Sequence, residues 1–398
     1  METWIFFGVV FMFFGLVNYY VFLRGLQAMG LGKRFKIVYG VVFWILAASY
    51  FVGSFMKQSW AGAASMGFIW AGSFWLGALL YFVLFAILFD IIRLIHKITP
   101  IIPEKVHANY PRLKRHLLSA VVLFVALLLA AGHINARFPV VRNLSVSLPY
   151  AGKKPAEFSM LVISDIHMGP KMGVRQLNRI VELANRQNPE IILLAGDIID
   201  EDIDFLKRLG LKEALSKLHA PYGVFGVMGN HEYISGGEDA YAFLTANGVK
   251  VLRDTTIRVK ELFYLIGRED FQKRTFVGVG RKDLSELMKL TTDGFPVVVL
   301  DHQPVHPEAA AREGAHLMIS GHTHHGQLWP LNFVTRAIYT LSFGHKVVEG
   351  MHLVVSNGIG TWGPPVRIGN RPEMVLIDVA PDPATLNPAH RICLPAII

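Results

Sequence analysis

Four long apolar stretches occupy the first third of the chain, and short apolar runs alternating with amphipathic segments fill the remainder. The stretches lie at Trp4–Leu23, Ile37–Met56, Gly67–Ile92 and Leu117–Ala136, each long enough to cross a bilayer as a helix. None carries a formal charge before its last turn, where Asp90 sits in the third. Buried core helices of a soluble protein are a poor match to four successive stretches of this kind. The first lacks the positive leading segment of a cleaved signal peptide, and further spans follow it. Small residues in the third span (Gly67, Ala71, Gly72, Ser73 and Gly77) allow close helix approach.

From about Arg142 the pattern changes. Strands are expected at Ser159–Ser164, Ile191–Ala195, Gly223–Met228, Val297–Leu300, His316–Ile319, Leu353–Ser356 and Met374–Ile377. Helical periodicity runs over Val174–Arg186, Phe205–Leu218, Asp239–Ala246, Asp283–Leu290 and Pro307–Arg312. Strands interleaved with helices give an α/β class. No repeat and no Gly/Ser-rich linker is present, and the junction near Arg137–Pro149 is short. The expected division is a membrane region over 1–142 and a second domain over 143–398.

Charge refines this picture. Residues 1–142 hold 13 Lys/Arg against 3 Asp/Glu, whereas the remainder holds 26 against 27. The overall charge of +9 therefore belongs to the hydrophobic part. The second domain lacks the basic footprint of a nucleic-acid binder, so nucleic acid is set aside as a partner. Loop one carries Arg24, Lys33, Arg34 and Lys36, and loop three carries Arg93, Lys97, Lys105, Arg112, Lys114 and Arg115. Loop two carries only Lys57. That imbalance puts loops one and three in the cytoplasm, with both termini and the second domain outside. No ionisable residue sits mid-span, since Asp90 and His133 fall near span ends, so a transport pathway is not expected. The spans read as an anchor that also presents a lipid. The single cysteine, Cys393, forms neither an internal disulfide nor a cysteine metal cluster.

Polar clusters follow the expected strands, where α/β sheets place their sites. In order they are Asp165-Ile-His167, Gly196-Asp197-Ile-Ile-Asp200, Gly229-Asn230-His231-Glu232, Asp301-His302 and Gly321-His322-Thr-His324-His325. Asp, His and Asn supply oxygen and imidazole ligands without thiolate, a set suited to borderline first-row divalent metals. In an extended segment residues two apart face the same way, so Asp165 and His167 can share an ion, as can His322 and His324. A two-metal site needs a bridging carboxylate, and Asp197 is the central candidate. One such fragment alone is weak; five at strand ends, in this order, are strong.

This constellation resembles the calcineurin-like metallophosphoesterase superfamily over roughly Phe158 to Ala380, and not over the spans. Ser356-Asn-Gly-Ile-Gly360 and Pro364-Pro-Val-Arg-Ile-Gly369 look like the YkuE-like branch, whose members work at the outer side of bacterial membranes. The resemblance implies a β-sandwich flanked by helices in a bacterial cell-membrane protein. It also implies that Asp165, His167, Asp197 and His324 bind one metal, and that Asp197, Asn230, His302 and His322 bind the second. His231 would contact the phosphate and help the leaving oxygen depart. By its own position in the motif, Asp200 reads as orienting a ligand or His231, with a solvated loop acid as the alternative. The expected cofactors are two divalent ions (Mn, Fe or Zn, with Mn favoured), and metal-activated hydroxide would attack phosphorus in line. One departure is visible: the branch reads GHTHGG, whereas this chain has His325 at the fifth position. A tolerated side chain is the favoured reading there, over a phosphate contact or a residue behind the ligands.

Glu232 reads as structural, and Lys171, Arg268 and Arg367 as surface charge in preference to contacts for a substrate phosphate or headgroup. His219, His316, His345, His352 and His390 fit no ligand spacing. The apolar segment Gln327–Val334 is expected either to form a core loop or to turn Leu328, Trp329, Leu331 and Phe333 toward bilayer or acyl chain. The leading function is hydrolysis of a phosphoester or pyrophosphate bond in a membrane lipid or lipid-linked substrate. The alternatives are a phosphodiesterase or nucleotidase on soluble external substrates, and a non-catalytic metal-stabilised membrane sensor.

Overall fold

The computed structural model describes residues 2–30, 32–59, 62–101, 103, 109–149, 157–213 and 215–384. Lys105, His390 and Cys393 lie outside the described residues. The chain divides into two compact units, Met1–Ile134 with Gly363–Val366, and Asn135–Trp362 with Arg367–Ile398.

The first unit is built from helices α1 (Glu2–Met29), α2 (Lys33–Ser59), α3 (Ala63–Ile98) and α4 (Tyr110–Ala136). All four are long and apolar enough to cross a membrane. Each extends beyond the apolar stretch read from the sequence, because the flanking polar residues continue the helix. Small residues do bring helices together. A Cβ on Gly72 would collide with the backbone of Tyr50, and one on Gly53 would meet the backbone of Ile69. Within the bundle, buried Asn18 accepts from Trp75 Nε1 at 2.9 Å and donates to Phe14 O at 2.9 Å, so its amide is satisfied away from water.

Among the described residues, the second unit holds twelve strands. They are β1 (Val140–Leu148), β2 (Phe158–Ile163), β3 (Ile191–Ala195), β4 (Val224–Val227), β5 (Lys250–Val251), β6 (Thr255–Val259), β7 (Phe263–Gly267), β8 (Val297–Leu300), β9 (Leu317–Ser320), β10 (Gly344–Val348), β11 (Met351–Val355) and β12 (Glu373–Pro381). One sheet runs β1-β12-β2-β3-β4-β5 and the other β10-β11-β9-β8-β7-β6. The central pairings β2–β3, β3–β4, β7–β8 and β8–β9 are parallel, as expected of wholly apolar runs such as Ile191–Ala195 that are buried on both faces.

Alternation along each strand builds the layers. Met160, Val162, Ile191 and Leu193 point between the sheets, where they meet Leu265, Val298, Leu300 and Ile319. Leu161, Ile163, Ile192 and Leu194 point outward, against Leu177, Ile180 and Val181 of helix Val174–Arg186. On the far face Ile266, Val299 and Met318 pack on Leu284, Leu287 and Ala310. The result is a β-sandwich flanked by helices.

Several local expectations are corrected. The junction near Arg137–Pro149 contains β1, whose Leu144, Val146 and Leu148 face the sandwich core while polar residues alternate outward. Phe205–Leu218 yields only the helix Ile203–Arg208, because Gly210 turns the chain with φ +76°. β6, β7 and β10 were not anticipated. The segment 327–334 is not a core loop: Leu331–Ile338 is helical, with Phe333, Val334 and Ile338 exposed. Leu328 is buried and bridges to Ile368, so it leaves the proposed apolar surface.

Candidate metal centre

Loops at the C-terminal ends of β2, β3, β4, β8 and β9 bring the motif residues together. Three groups form, each with ligand atoms within 4.8 Å of one another: Asp165, His167 and His324; Asp197, His302 and His322; and His167, Asp200 and His231. The residues two apart converge, but not through a strand pleat. Asp165 (φ 54°), His167 (φ 51°), His322 (φ 69°) and His324 (φ 46°) all adopt the left-handed region, as does Asp197 (φ 52°). Each such residue costs on the order of 1–2 kcal/mol of backbone strain. Strain of this kind persists only where the surroundings fix it. Close approach adds a second demand, since a Cβ on Gly229 would collide with the Asp197 carboxylate and one on Gly321 with that of Asp165.

Glu232 is the main clamp. Its buried carboxylate accepts from the backbone N–H of Asp197 (3.0 Å), Ile198 (2.6 Å), Ile199 (2.8 Å) and Gly229 (2.6 Å). One side chain thereby holds both the loop after β3 and the turn after β4. Asp165 performs a similar task by accepting from His322 N at 3.0 Å.

Hydrogen bonds set which imidazole nitrogens are bare. His302 Nδ1 donates to Ala195 O at 2.8 Å, leaving Nε2 facing Asp197 Oδ2 at 3.1 Å and His322 Nδ1 at 3.3 Å. His167 Nδ1 lies 3.3 Å from Asp200 Oδ1, which directs its Nε2 to His324 Nε2 at 3.0 Å. Bare nitrogens and carboxylate oxygens this close repel one another unless a proton or cation lies among them. The side chain of Asn230 adds an unusual group: its Oδ1 is buried without a hydrogen-bond partner. Its chain neighbours Gly229 and His231 both abut the Asp197 carboxylate, and an orphaned carbonyl oxygen on that turn suits a hard-to-borderline divalent ion.

Electrostatics agree with the geometry. Burial opposes ionisation of Asp197, yet His302 holds its carboxyl well below the usual range. Burial also works against a charged His302, and the Asp197 charge overcomes it to push His302 well above the usual histidine value. The field that retains a proton there is the field that attracts a metal ion, so the two compete. For Asp165, burial dominates and raises the carboxyl. For His322, burial and then the charge of His302 lower the imidazole to about 3.

His231 occupies a different position. Its Nδ1 lies 2.6 Å from Asp200 Oδ1, and its backbone N–H donates to Asp197 Oδ1 at 2.9 Å. Burial would depress its pKa, but the Asp200 hydrogen bond and the charges of Asp197 and Asp200 push it up to about 9. Asp200 itself is held far below the ordinary carboxyl range: burial is outweighed by His167 and His231.

Of the three side chains read as surface charge, Arg367 is buried and Lys171 and Arg268 are half-buried. Lys171 lies 3.9 Å from Asp200, with 6% of its side chain exposed. Arg268 is paired with Asp301 at 3.7 Å and donates to Lys282 O. Arg367 is fully buried and donates to the carbonyls of Asn357 (2.8 Å), Gly358 (3.0 Å) and Gly360 (2.6 Å), with His324 Nδ1 at 3.2 Å. It thus straps the loop after β11 to the ligand loop after β9. Asp301 does not join its neighbour His302 in the site, because Arg281 takes its carboxylate at 2.8 and 3.0 Å. His325 is buried against Ser342 Oγ (3.0 Å) and the Phe343 ring, away from the ligand triads. Trp362, not anticipated as a site residue, is exposed, and its ring centre lies 6.0 Å from that of His231. Gln327 fixes it through two hydrogen bonds to its backbone. An isolated tryptophan between Gly360 and Gly363 was the available signal.

Comparison with known proteins agrees with this constellation. A family model described as calcineurin-like phosphoesterase matches residues 158–326. An "uncharacterized metallophosphoesterase" of Aquifex aeolicus is 30% identical over 65% of this chain and 98% of its own length. A second one, from Campylobacter jejuni, is 26% identical over 94% of this chain and 98% of that protein. A "transmembrane protein with metallophosphoesterase domain" of Danio rerio is 30% identical over 64% of this chain, which spans 61% of that longer relative. With the Aquifex relative covered almost end to end and the family model reaching from β2 to the last ligand motif, the chain belongs to the calcineurin-like metallophosphoesterases.

Proposed function

We propose that the protein is a membrane-anchored phosphoesterase, dependent on two divalent metal ions, that hydrolyses a phosphoester or pyrophosphate bond of a membrane lipid or lipid-linked substrate. Asp165, His167, Asp197 and His324 would hold one ion, and Asp197, Asn230, His302 and His322 the other, with manganese the favoured metal. When bound, such ions supply Lewis acidity toward phosphoryl oxygens and toward water. The chain's own groups do the rest. Asp200 takes Nδ1–H of His231, so a protonated His231 keeps its Nε2 proton for the leaving oxygen. Glu232 and Arg367 hold the ligand loops in place. The observation that carries this reading is the set of bare nitrogens and carboxylate oxygens facing one another around Asp197. The orphaned Oδ1 of Asn230, on the turn whose His231 N–H donates to Asp197, supports it.

The lipid part of the proposal is supported by two features. Four candidate membrane spans share the chain with the site. Exposed Trp329, Phe333, Val334 and Ile338 follow directly on ligand His324 and offer an apolar surface to a bilayer or acyl chain. The excess of Lys and Arg in loops one and three supports a bacterial cell-membrane location with the second unit outside the cytoplasm. The partners are then the bilayer and a phosphate-bearing lipid or small molecule.

The test is turnover by full-length protein in detergent, loaded with manganese, on an aryl phosphodiester, a lipid phosphate, a lipid pyrophosphate and nucleotides. Manganese-dependent cleavage with preference for a lipid is expected. Absence of all turnover by metal-loaded protein would overturn the enzymatic reading. Cleavage of nucleotides alone would move the substrate to the soluble class.

A further inference from the structure

The helical unit contains a cavity of about 380 Å³, a size typical of small-ligand sites. Its body is apolar, lined by side chains that include Val21, Leu46, Trp75, Phe85 and Leu118. Arg24, Asp90, Arg93 and Lys114 also line it, and they belong to one polar cluster contributed by α1, α3 and α4. Asp90 is the cluster's carboxylate: it accepts from Arg24 at 2.5 Å, Tyr20 at 2.7 Å and Arg93 at 3.3 Å. Lys114 is held by a neutral group, Gln27 O at 3.3 Å, and stands over the Tyr110 ring.

Among the described residues, three cations against one carboxylate leave the cavity mouth with a formal charge of +2. Arg24 Nε is in addition buried without a hydrogen-bond partner. Uncompensated cations beside an apolar cavity between membrane helices are costly unless an anion joins them. Basic pockets between transmembrane helices recruit anionic headgroups for this reason.

We propose that the cavity binds one phospholipid with a net anionic headgroup, its acyl chain in the apolar body and its phosphate against Arg24, Arg93 and Lys114. A zwitterionic lipid brings the same phosphate together with a cation that the excess positive charge repels, so the site selects against it. The proposal draws on neither the metal centre nor its chemistry.

The experiment is native mass spectrometry of the full chain purified in detergent, without added metal. Phosphatidylglycerol and phosphatidylcholine of identical acyl chains are titrated in parallel. Retention of one phosphatidylglycerol, at least about ten-fold tighter than phosphatidylcholine, is expected. Neutralising Arg93→Gln and Lys114→Gln should weaken phosphatidylglycerol by roughly five-fold per charge removed and leave phosphatidylcholine unchanged. Filling the body with Val121→Trp should displace both lipids alike. Equal retention of the two lipids by the wild-type chain would overturn the proposal, and that comparison needs no variant to fold. Full phosphatidylglycerol affinity in a natively melting double variant would overturn it as well.

Discussion

The metal centre gathers Asp165, Asp197, Asp200 and Glu232 around several imidazoles, whereas the membrane cavity sets one carboxylate, Asp90, among Arg24, Arg93 and Lys114. The first cluster is buried and the second partly exposed, and in both an uncompensated group costs more the further it lies from bulk water. They differ in sign and therefore in what completes them. The first has surplus lone pairs and negative charge, which calls for cations; the second has surplus N–H groups and positive charge, which calls for an anion. They differ also in rigidity. Left-handed backbone at Asp165, His167, Asp197, His322 and His324 and the Glu232 clamp fix the candidate metal centre in advance. The membrane cluster relies on long, flexible side chains from three helices, a design that tolerates a chemically varied headgroup.

The largest effect that could break this contrast is expected at Asp197. Asp197→Asn should remove a bridging charge, reduce bound metal from two ions to one or none, and lower kcat by about 10³-fold or more. Metal analysis beside turnover checks it, and undiminished metal content would refute the bridging role. Next comes His231→Ala, expected to keep its metal while turnover drops on the order of 10²–10⁴-fold. Loss of metal in that variant would make His231 a ligand and not an acid. Asp200→Asn follows, with a loss of roughly 10–100-fold in metal affinity or activity, since it aligns His167 and His231 from behind.

Asp90→Asn tests the other cluster. It should cost about 1 kcal/mol, a modest value because both partners are partly exposed, and read as a lower Tm with unchanged metal content. Anionic lipid should bind this variant more tightly, because the only carboxylate of the cluster among the described residues is gone. The smallest effect is expected at His325. Its backbone sits at φ 48°, so His325→Gly relieves strain while deleting the Ser342 contact, and activity should change by less than about two-fold. A large loss there would place His325 in the site after all.

Much of the first cluster was legible because its residues recur in short motifs at strand ends. Spacing and resemblance single out Asp165, His167, Asp197, His302, His322 and His324, and the fold brings them together. What misled was the conformation: the two-residue spacing suggested a strand pleat, yet left-handed turns achieve the convergence. Lys171, Arg268 and Arg367 misled for another reason. A charged side chain in a loop is ordinarily solvated, and only the packing of neighbouring loops reveals the carbonyls and carboxylates that receive these three. The helix Leu331–Ile338 escaped because a short apolar run has no decisive period.

The sequence by itself determined the four long apolar helices, the α/β alternation and the order of the Asp/His/Asn motifs, since these follow from hydrophobic period and from residue type. Tertiary structure decided which nitrogens are bare, that Glu232 clamps two loops, and that Arg24 meets Asp90 across 66 residues of chain. Such pairings carry no local signature. They depend on which helices and loops approach one another, and burial then converts each approach into a hydrogen bond that must be made.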